Sequence, residues 1–132
     1  MGIDKFDEHS SDPLMVGQID TEKVKKLTGI VFEEQEVFIY PGAVKHIKKN
    51  HPLVWDQHKH ELPDLLSNPD YIGKNSKVPD SIELYKFVGD HLLLAIKLDP
   101  SGYLFVSTFY DLDNAEHKIK KRLKSGRIQA YL

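Results

Sequence analysis

Three apolar-rich segments joined by short turns constrain the fold of this 132-residue chain more than any other feature. They cover residues 82–87, 91–98 and 103–110 and are rich in residues that favour strands. Gly89-Asp90 connects the first pair, and the segment 99–102, with Pro100 and Gly102, connects the second pair. Connections of hairpin length predict that the three strands are antiparallel neighbours.

The chain before these strands has mainly helical patterns. A short strand is predicted over 14–19, and Asp20 or Thr21 is a typical cap for a helix that ends at Gly29. Apolar residues from Trp55 to Leu66 have helical spacing, which Pro63 divides into two short pieces. Short strands are also predicted over 37–40 and 71–72, and a helix between Asp113 and Gly126.

This order of elements predicts the fold class. Helices come first and a strand meander follows, which is typical of an α+β domain with its N-terminal helices packed on an antiparallel sheet. Residues 14–132 form one predicted domain, since no repeat or second domain is visible. Residues 1–13 lack an apolar period and are predicted to be a mobile N-terminal tail.

One predicted helix carries two histidines. It follows the turn Pro41-Gly42 and ends before Pro52, because the residue preceding a proline is disfavoured in a helix. His51 falls on the apolar side at the helix terminus, and His46 lies on its flank among Lys45, Lys48 and Lys49. Histidine titrates near neutral pH, so these are candidate acid–base groups. A partly buried histidine beside a solvated lysine face is the alternative interpretation.

Hydroxyl groups cluster near the end of the third strand, at Ser107, Thr108 and Tyr110. Strict alternation places Thr108 and Tyr110 on one face together with Leu104 and Val106. Such hydroxyls can donate hydrogen bonds to a phosphate or a developing oxyanion. Threonine and tyrosine also simply favour strands, so a structural role is equally consistent with the pattern.

Cationic residues occur both in the sheet and in the last helix. Lys97 lies in an apolar strand and must reach either a phosphate or solvent. The segment 117–127, with Lys121 and Arg122, carries only basic charges and can contact a phosphate backbone. A solvated helix face is the alternative. His58 and His60 suggest a metal site, but residues two apart on a helix point in nearly opposite directions.

Composition narrows the class of protein. The chain has no cysteine, which excludes a disulfide framework and thiolate chemistry. Its net charge is −2, so any positively charged surface for nucleic acid has to be local. The chain also lacks an apolar run of roughly 20 residues, so no membrane association is predicted. The acidic first residues are not typical of a signal peptide, and a cytoplasmic location is expected.

The order of these motifs resembles the phage barnase–EndoU–colicin–RelE-like nuclease superfamily. The resemblance rests on His46-Ile47 with His51-Pro52, on Leu-Ser-Asn-Pro-Asp-Tyr-Ile at 66–72, on Val-Ser-Thr-Phe-Tyr at 106–110, and on the basic helix that follows. It covers roughly residues 14–132. No carboxylate stands beside the two histidines, which departs from a barnase-style glutamate base.

The resemblance implies a metal-independent endoribonuclease without a cofactor, of the kind that serves as a toxin or effector in phages and mobile elements. It implies general acid–base catalysis by His46 and His51 with help from Thr108 and Tyr110. Its expected partners are an RNA substrate and an antitoxin or immunity protein. The cationic residues expected to bind nucleic acid are Lys48, Lys49, Lys97, Lys121 and Arg122. Two alternatives stay open, namely a non-catalytic RNA- or protein-binding domain and a metal-dependent nuclease using His58 and His60.

Overall fold

A computed structural model describes residues 12–75 and 77–132 of the chain. The strands are β1 (Leu14–Gln18), β2 (Glu36–Ile39), β3 (Tyr71–Lys74), β4 (Ser81–Phe87), β5 (His91–Leu98), β6 (Leu104–Asp111) and β7 (Ile128–Ala130). The helices are α1 (Thr21–Thr28), α2 (Pro41–Asn50), α3 (Val54–His58), α4 (Leu62–Ser67) and α5 (Ala115–Ser125), with a 3₁₀ turn over Lys59–Glu61. The predicted tail, residues 1–13, lies outside the described residues except for Asp12 and Pro13.

The strands form one sheet in the order β1-β2-β6-β5-β4-β3-β7, which confirms the predicted α+β class. The meander β4-β5-β6 is antiparallel, as its short connections predict. The prediction of a purely antiparallel sheet is wrong at one place, because β2 and β6 pair in parallel through Val37 with Leu104 and Phe38 with Phe105. Strand β7 was not predicted, and it pairs with β3 at one edge of the sheet.

Local sequence signals explain most helix ends. The Asp20 side chain caps α1 by accepting a hydrogen bond of 3.1 Å from the Lys23 amide, and Gly29 ends the helix in the left-handed conformation. Pro41 occupies the first turn of α2, and Pro63 occupies the first turn of α4. The helix predicted to start at Asp113 instead begins after Asn114, which has φ of 51° and makes no side-chain capping bond.

The two faces of the sheet have different surroundings. We call the face that carries Leu84, Leu94 and Phe109 the first face. These side chains belong to the main core together with apolar residues of α1, α2, α3 and α4. We call the face that carries Tyr85, Leu93 and Tyr110 the second face. It shares a smaller apolar cluster with α5. No helix among residues 12–75 and 77–132 is both long and apolar enough to cross a membrane.

A bulge in β6 changes which residues share a face. Ala95 pairs with Thr108 and Ile96 pairs with Val106, so Ser107 is an extra residue in β6. Val106 therefore lies in the main core, whereas Thr108 opposes Ala95 beside the second-face cluster. The prediction that Leu104 and Val106 share a face with Thr108 and Tyr110 is wrong for this reason, since a bulge shifts the alternation by one residue.

Candidate active site

The His51 imidazole lies against the Tyr110 ring. The two ring centroids are 5.1 Å apart and the ring planes differ by 21°, which is a stacked arrangement. Both residues line a cleft of about 500 Å³, together with Asn50, Leu53, Asp90 and Lys118 among others. Both side chains are half-buried, so the histidine is oriented by packing and remains accessible from the cleft. A partly buried histidine and a strand tyrosine thus meet in a concave surface.

The end of α2 fixes the position of His51. His51 caps this helix, and its backbone amide donates a hydrogen bond of 2.7 Å to the Ile47 carbonyl. Val44 and Ile47 anchor the same helix in the main core. Strand β2 pairs with only the first two residues of β6, Leu104 and Phe105. Both α2 and α3 also contact β6. The junction between these two helices therefore brings His51 to the end of β6, where Tyr110 lies.

Thr108 lies on the second face of β6, two residues before Tyr110. Both side chains are half-buried and they point to the same side, as Thr108 opposes Ala95 and Tyr110 opposes Leu93. Ser107 has a different environment, because its hydroxyl donates a hydrogen bond of 3.2 Å to the Ala95 carbonyl. This bond gives Ser107 a structural role at the bulge and leaves Thr108 and Tyr110 as the candidate hydroxyls. Of these two, only Tyr110 is among the described residues that line the cleft.

A polar network lies on the second face, within electrostatic range of Tyr110. Arg127 donates two hydrogen bonds to the Glu83 carboxylate, of 3.0 Å from Nε and 2.8 Å from Nη2. The Tyr85 hydroxyl donates to Glu83 Oε1 over 3.4 Å, and Arg122 Nη1 donates to the Tyr85 hydroxyl over 2.8 Å. The network joins a buried carboxylate, two guanidinium groups and a phenol beside the candidate site.

This network influences the tyrosines. Burial, and to a smaller extent the nearby Glu83 carboxylate, raise the pKa of Tyr85 to about 12 against the opposing effect of Arg122. Burial also raises the pKa of Tyr110, with Arg122 and Arg127 acting to lower it and Glu83 acting to raise it. Tyr110 is therefore within the electrostatic reach of both arginines. Its ring stacks on His51 in the cleft, and the arginines on the second face lower its pKa.

The structure separates several other predicted residues from this cleft. His46 is exposed on α2, where the Asn50 side-chain amide donates a hydrogen bond of 3.1 Å to the His46 carbonyl. Lys49 is exposed and Lys48 is half-buried on the same helix. Lys97 lines a different depression of about 400 Å³ with Tyr40 and Tyr103.

The basic helix contributes two residues with different surroundings. Lys121 is exposed on α5, whereas Arg122 is half-buried and bonded to Tyr85. The cleft itself receives Lys118 from this helix. A cationic helix thus begins at the cleft and continues along the second face.

His58 and His60 have separate environments. His58 is buried in α3, and its Nε2 lies 2.8 Å from Asp90 Oδ2, whereas His60 is exposed in the 3₁₀ turn. Within the part of the chain that the structure describes, no group of three or more His, Cys, Asp or Glu side chains has a geometry suited to a metal ion.

Two carboxylates that bond other side chains at the site were missed from the sequence. Asp90 reaches the cleft from the β4–β5 hairpin, and Glu83 anchors the network on the second face. A single glutamate between the apolar residues Ile82 and Leu84 was a signal for Glu83, because a charge in a strand covered on both faces requires a partner. Asp90 occupies an ordinary hairpin turn, where an aspartate gives no such signal.

Comparisons with known proteins agree with the resemblance seen in the sequence. The model of one protein family matches residues 15–121, which is most of the chain. No curated protein and no solved structure gives a significant match. The chain belongs to the family described as phage-Barnase-EndoU-ColicinE5/D-RelE like nuclease3, and as a nuclease its substrate is a nucleic acid.

Proposed function

We propose that the chain is a metal-independent endoribonuclease in which His51 and Tyr110 exchange protons with the substrate. The proposal includes a barnase-like arrangement with the N-terminal helices packed on the sheet. The observation that carries it is the stack of the His51 and Tyr110 rings, 5.1 Å apart, in an open cleft of a nuclease-family chain. The hydroxyl of Thr108 and the guanidinium of Arg122 lie on the same side of the sheet as Tyr110 and support the proposal.

The chemistry requires few groups. Metal-free RNA cleavage needs a base for the 2′-hydroxyl proton, an acid for the departing 5′-oxygen, and donors around the phosphate. Histidine suits the role of base because its neutral form is available near pH 7. Tyr110 keeps its hydroxyl proton near pH 7, because burial raises its pKa, and it is therefore assigned as the proton donor although the same shift makes it a weaker acid. Thr108 and Arg122 then stabilise the charge that develops on the phosphate.

Cationic side chains extend the proposed substrate path beyond the cleft. Lys118 lines the cleft, and the exposed Lys121 continues along α5. Lys48 and Lys49 of α2, and Lys97 in its separate depression, are proposed to contact more distant phosphates of a bound strand. Such contacts are expected to add affinity without sequence preference.

Cleavage of a defined RNA by the whole chain, with and without EDTA, tests this function. Removing a general acid–base group typically costs 10²–10⁴-fold in rate, so we expect His51→Ala to lower cleavage by roughly 100-fold or more. Thr108→Val should lower it by roughly 10–100-fold, the value of a hydrogen bond to a charged group. His46→Ala, measured in parallel, decides which histidine of α2 takes part.

His60→Ala is the matched control, because it removes an exposed histidine from a neighbouring segment. It should leave cleavage and melting temperature nearly unchanged. Activity lost with EDTA and with His60→Ala would instead support the metal-dependent alternative. Binding of RNA without cleavage by the wild-type chain would support the non-catalytic alternative, for which the basic face of α5 is the supporting feature. Equal activity of wild type and His51→Ala would contradict the proposal.

We also propose a biological role as a toxin or effector. The family description names colicin and RelE nucleases, which supports this role and an antitoxin or immunity protein as partner. Action in the cytoplasm stays a prediction from the cysteine-free sequence. Growth arrest on intracellular expression of the wild-type chain, and its absence with His51→Ala, is the expected result. Unimpaired growth with active soluble enzyme would contradict the role.

A further inference from the structure

A buried histidine holds a carboxylate at the rim of the proposed active cleft. His58 is only 8% exposed, and its Nε2 lies 2.8 Å from Asp90 Oδ2. The Asp90 side chain is 51% exposed and lines the cleft that contains His51 and Tyr110. One carboxylate oxygen is therefore bonded to the protein interior, while much of the group remains accessible from the cleft.

The surrounding backbone also fixes Asp90. It lies in the tight turn between β4 and β5, where Gly89 has φ of 95° and the Val88 amide donates a hydrogen bond of 3.0 Å to the Asp90 carbonyl. The Leu112 amide donates to the neighbouring His91 carbonyl over 2.8 Å, which ties the turn to the end of β6. A turn held by both backbone and a buried side chain presents its carboxylate in one position.

We infer that Asp90 accepts a hydrogen bond from the 2′-hydroxyl of a substrate ribose adjacent to the cleaved nucleotide, and that His58 is a positioning residue for Asp90. The 2′-hydroxyl of the cleaved nucleotide gives its proton to His51 in the proposed reaction and is not the group that Asp90 binds. A carboxylate suits a sugar hydroxyl, as in the acidic residues that bind the ribose of dinucleotides. It is unsuited to a phosphate, which it repels. The 2′-hydroxyl is also the group that distinguishes RNA from DNA. The inference rests on the proposed ribonuclease function and adds the residue that selects ribose.

The charges around the cleft agree with this placement. Two further carboxylates, Asp111 and Asp113, line the cleft together with the cationic side chain of Lys118. Arg122 and Arg127 lie instead in the network on the second face. Tyr110 is common to both, since it lines the cleft and interacts electrostatically with the two arginines. A nucleotide can thus place its sugar in the cleft beside Asp90 and its phosphate toward the arginines, with Tyr110 between them.

The test measures the ribose preference in binding. The probes are the four ribonucleoside 3′-monophosphates and their 2′-deoxy counterparts, which are not cleaved, titrated by NMR into the whole chain. We expect the wild type to bind at least one ribose form roughly tenfold more tightly than its deoxy form, the value of a hydrogen bond to a charged acceptor. Asp90→Ala should bring this ratio close to one. Glu116→Gln, which removes an exposed carboxylate near the start of α5, should retain the ratio.

His58 is tested by two variants with the same readout. His58→Phe keeps a ring but removes the nitrogen bonded to Asp90, so the ratio should fall several-fold. His58→Gln places an amide N–H near the position of that imidazole nitrogen, so it should restore part of the ribose preference. A merely structural role of His58 would change the melting temperature and leave the ratio unaltered. If His58→Phe does not fold, Asp90→Ala and His58→Gln still decide the inference.

Two results would overturn the inference, namely a wild-type ratio near one or a wild-type ratio retained in Asp90→Ala. Either result together with RNA cleavage would leave the ribonuclease function standing. A ribose preference that depends on Asp90, without any RNA cleavage by the wild type, would instead remove the proposed catalytic function and keep the binding role of Asp90.

Discussion

The Glu83–Arg127 pair gives a stability prediction whose size follows from the structure. Glu83 has a side chain only 7% exposed, and Arg127, 36% exposed, bonds both of its carboxylate oxygens. Arg127→Leu would leave a buried carboxylate with a single weak partner, the Tyr85 hydroxyl at 3.4 Å. Removing one member of a buried pair typically costs about 3–5 kcal/mol.

The partial exposure of Arg127 lowers this figure, because water already screens part of the interaction. We therefore expect Arg127→Leu to reduce the free energy of unfolding by about 2–3 kcal/mol, which for a domain of this size is roughly a 10 °C fall in melting temperature. The double variant, which combines Glu83→Leu with Arg127→Leu, removes both charges. It should lose less free energy of unfolding than Arg127→Leu alone, because no buried charge is then left unpaired.

Urea unfolding followed by circular dichroism measures the stability of the wild type and of both variants, whose midpoints can be compared directly if the slopes of the transitions are equal. Lys124→Ala is the matched control, since Lys124 is an exposed cation of α5. It should change stability by less than about 0.5 kcal/mol. Equal stability of Arg127→Leu and Lys124→Ala would show that the unpaired Glu83 carboxylate carries no cost. A double variant less stable than Arg127→Leu would likewise contradict this cost.

Two further stability predictions follow from the same region of the sheet. The pKa of Tyr85 is raised from 10.0 to about 12, mainly by burial, so its neutral form stabilises the fold below pH 10 and this contribution is lost as the pH rises toward 12. In thermal unfolding scans, Tyr85→Phe should therefore be less stable than wild type at pH 8 and should approach or exceed it near pH 12; a difference independent of pH would contradict this. A Cβ on Gly73 would lie 2.6 Å from Ile128 Cγ2 and still closer to the Arg127 carbonyl, so Gly73→Ala should cost about 1–3 kcal/mol in urea unfolding. Gly42→Ala, in a helical position with open space, should not destabilise the protein, and equal midpoints for the two variants would argue against the close β3–β7 packing.

Short-range signals made much of the fold predictable. The turns at 89–90 and 99–102 identified the antiparallel meander, and the position of Pro63 identified the division between α3 and α4. The parallel pairing of β2 with β6 was not predictable in this way, because it joins segments that are far apart in the sequence. Strand β7 has three residues and no clear alternation, so its existence depends on pairing with β3.

The candidate site was partly predictable for a similar reason. His51 and Tyr110 were identified from their own segments, and the structure stacks their rings. The contribution of Asp90 depends on a contact with His58 across 32 positions of sequence, which no local pattern reveals. His46 was grouped with His51 because both lie on α2, but its side chain is exposed and it is not among the described residues lining the cleft.

The bulge at Ser107 is the structural detail on which the site depends most directly. With regular alternation, Thr108 and Tyr110 would point to the same side as Val106 and Leu104, into the main core. The extra residue turns both hydroxyls to the second face, beside Ala95 and the tyrosine–arginine network. The Ser107 hydroxyl bonds the Ala95 carbonyl across the two strands at this point, which stabilises the irregular pairing. Bulges commonly redirect side chains beside active sites, and here one residue decides whether Tyr110 packs in the core or meets His51 in the cleft.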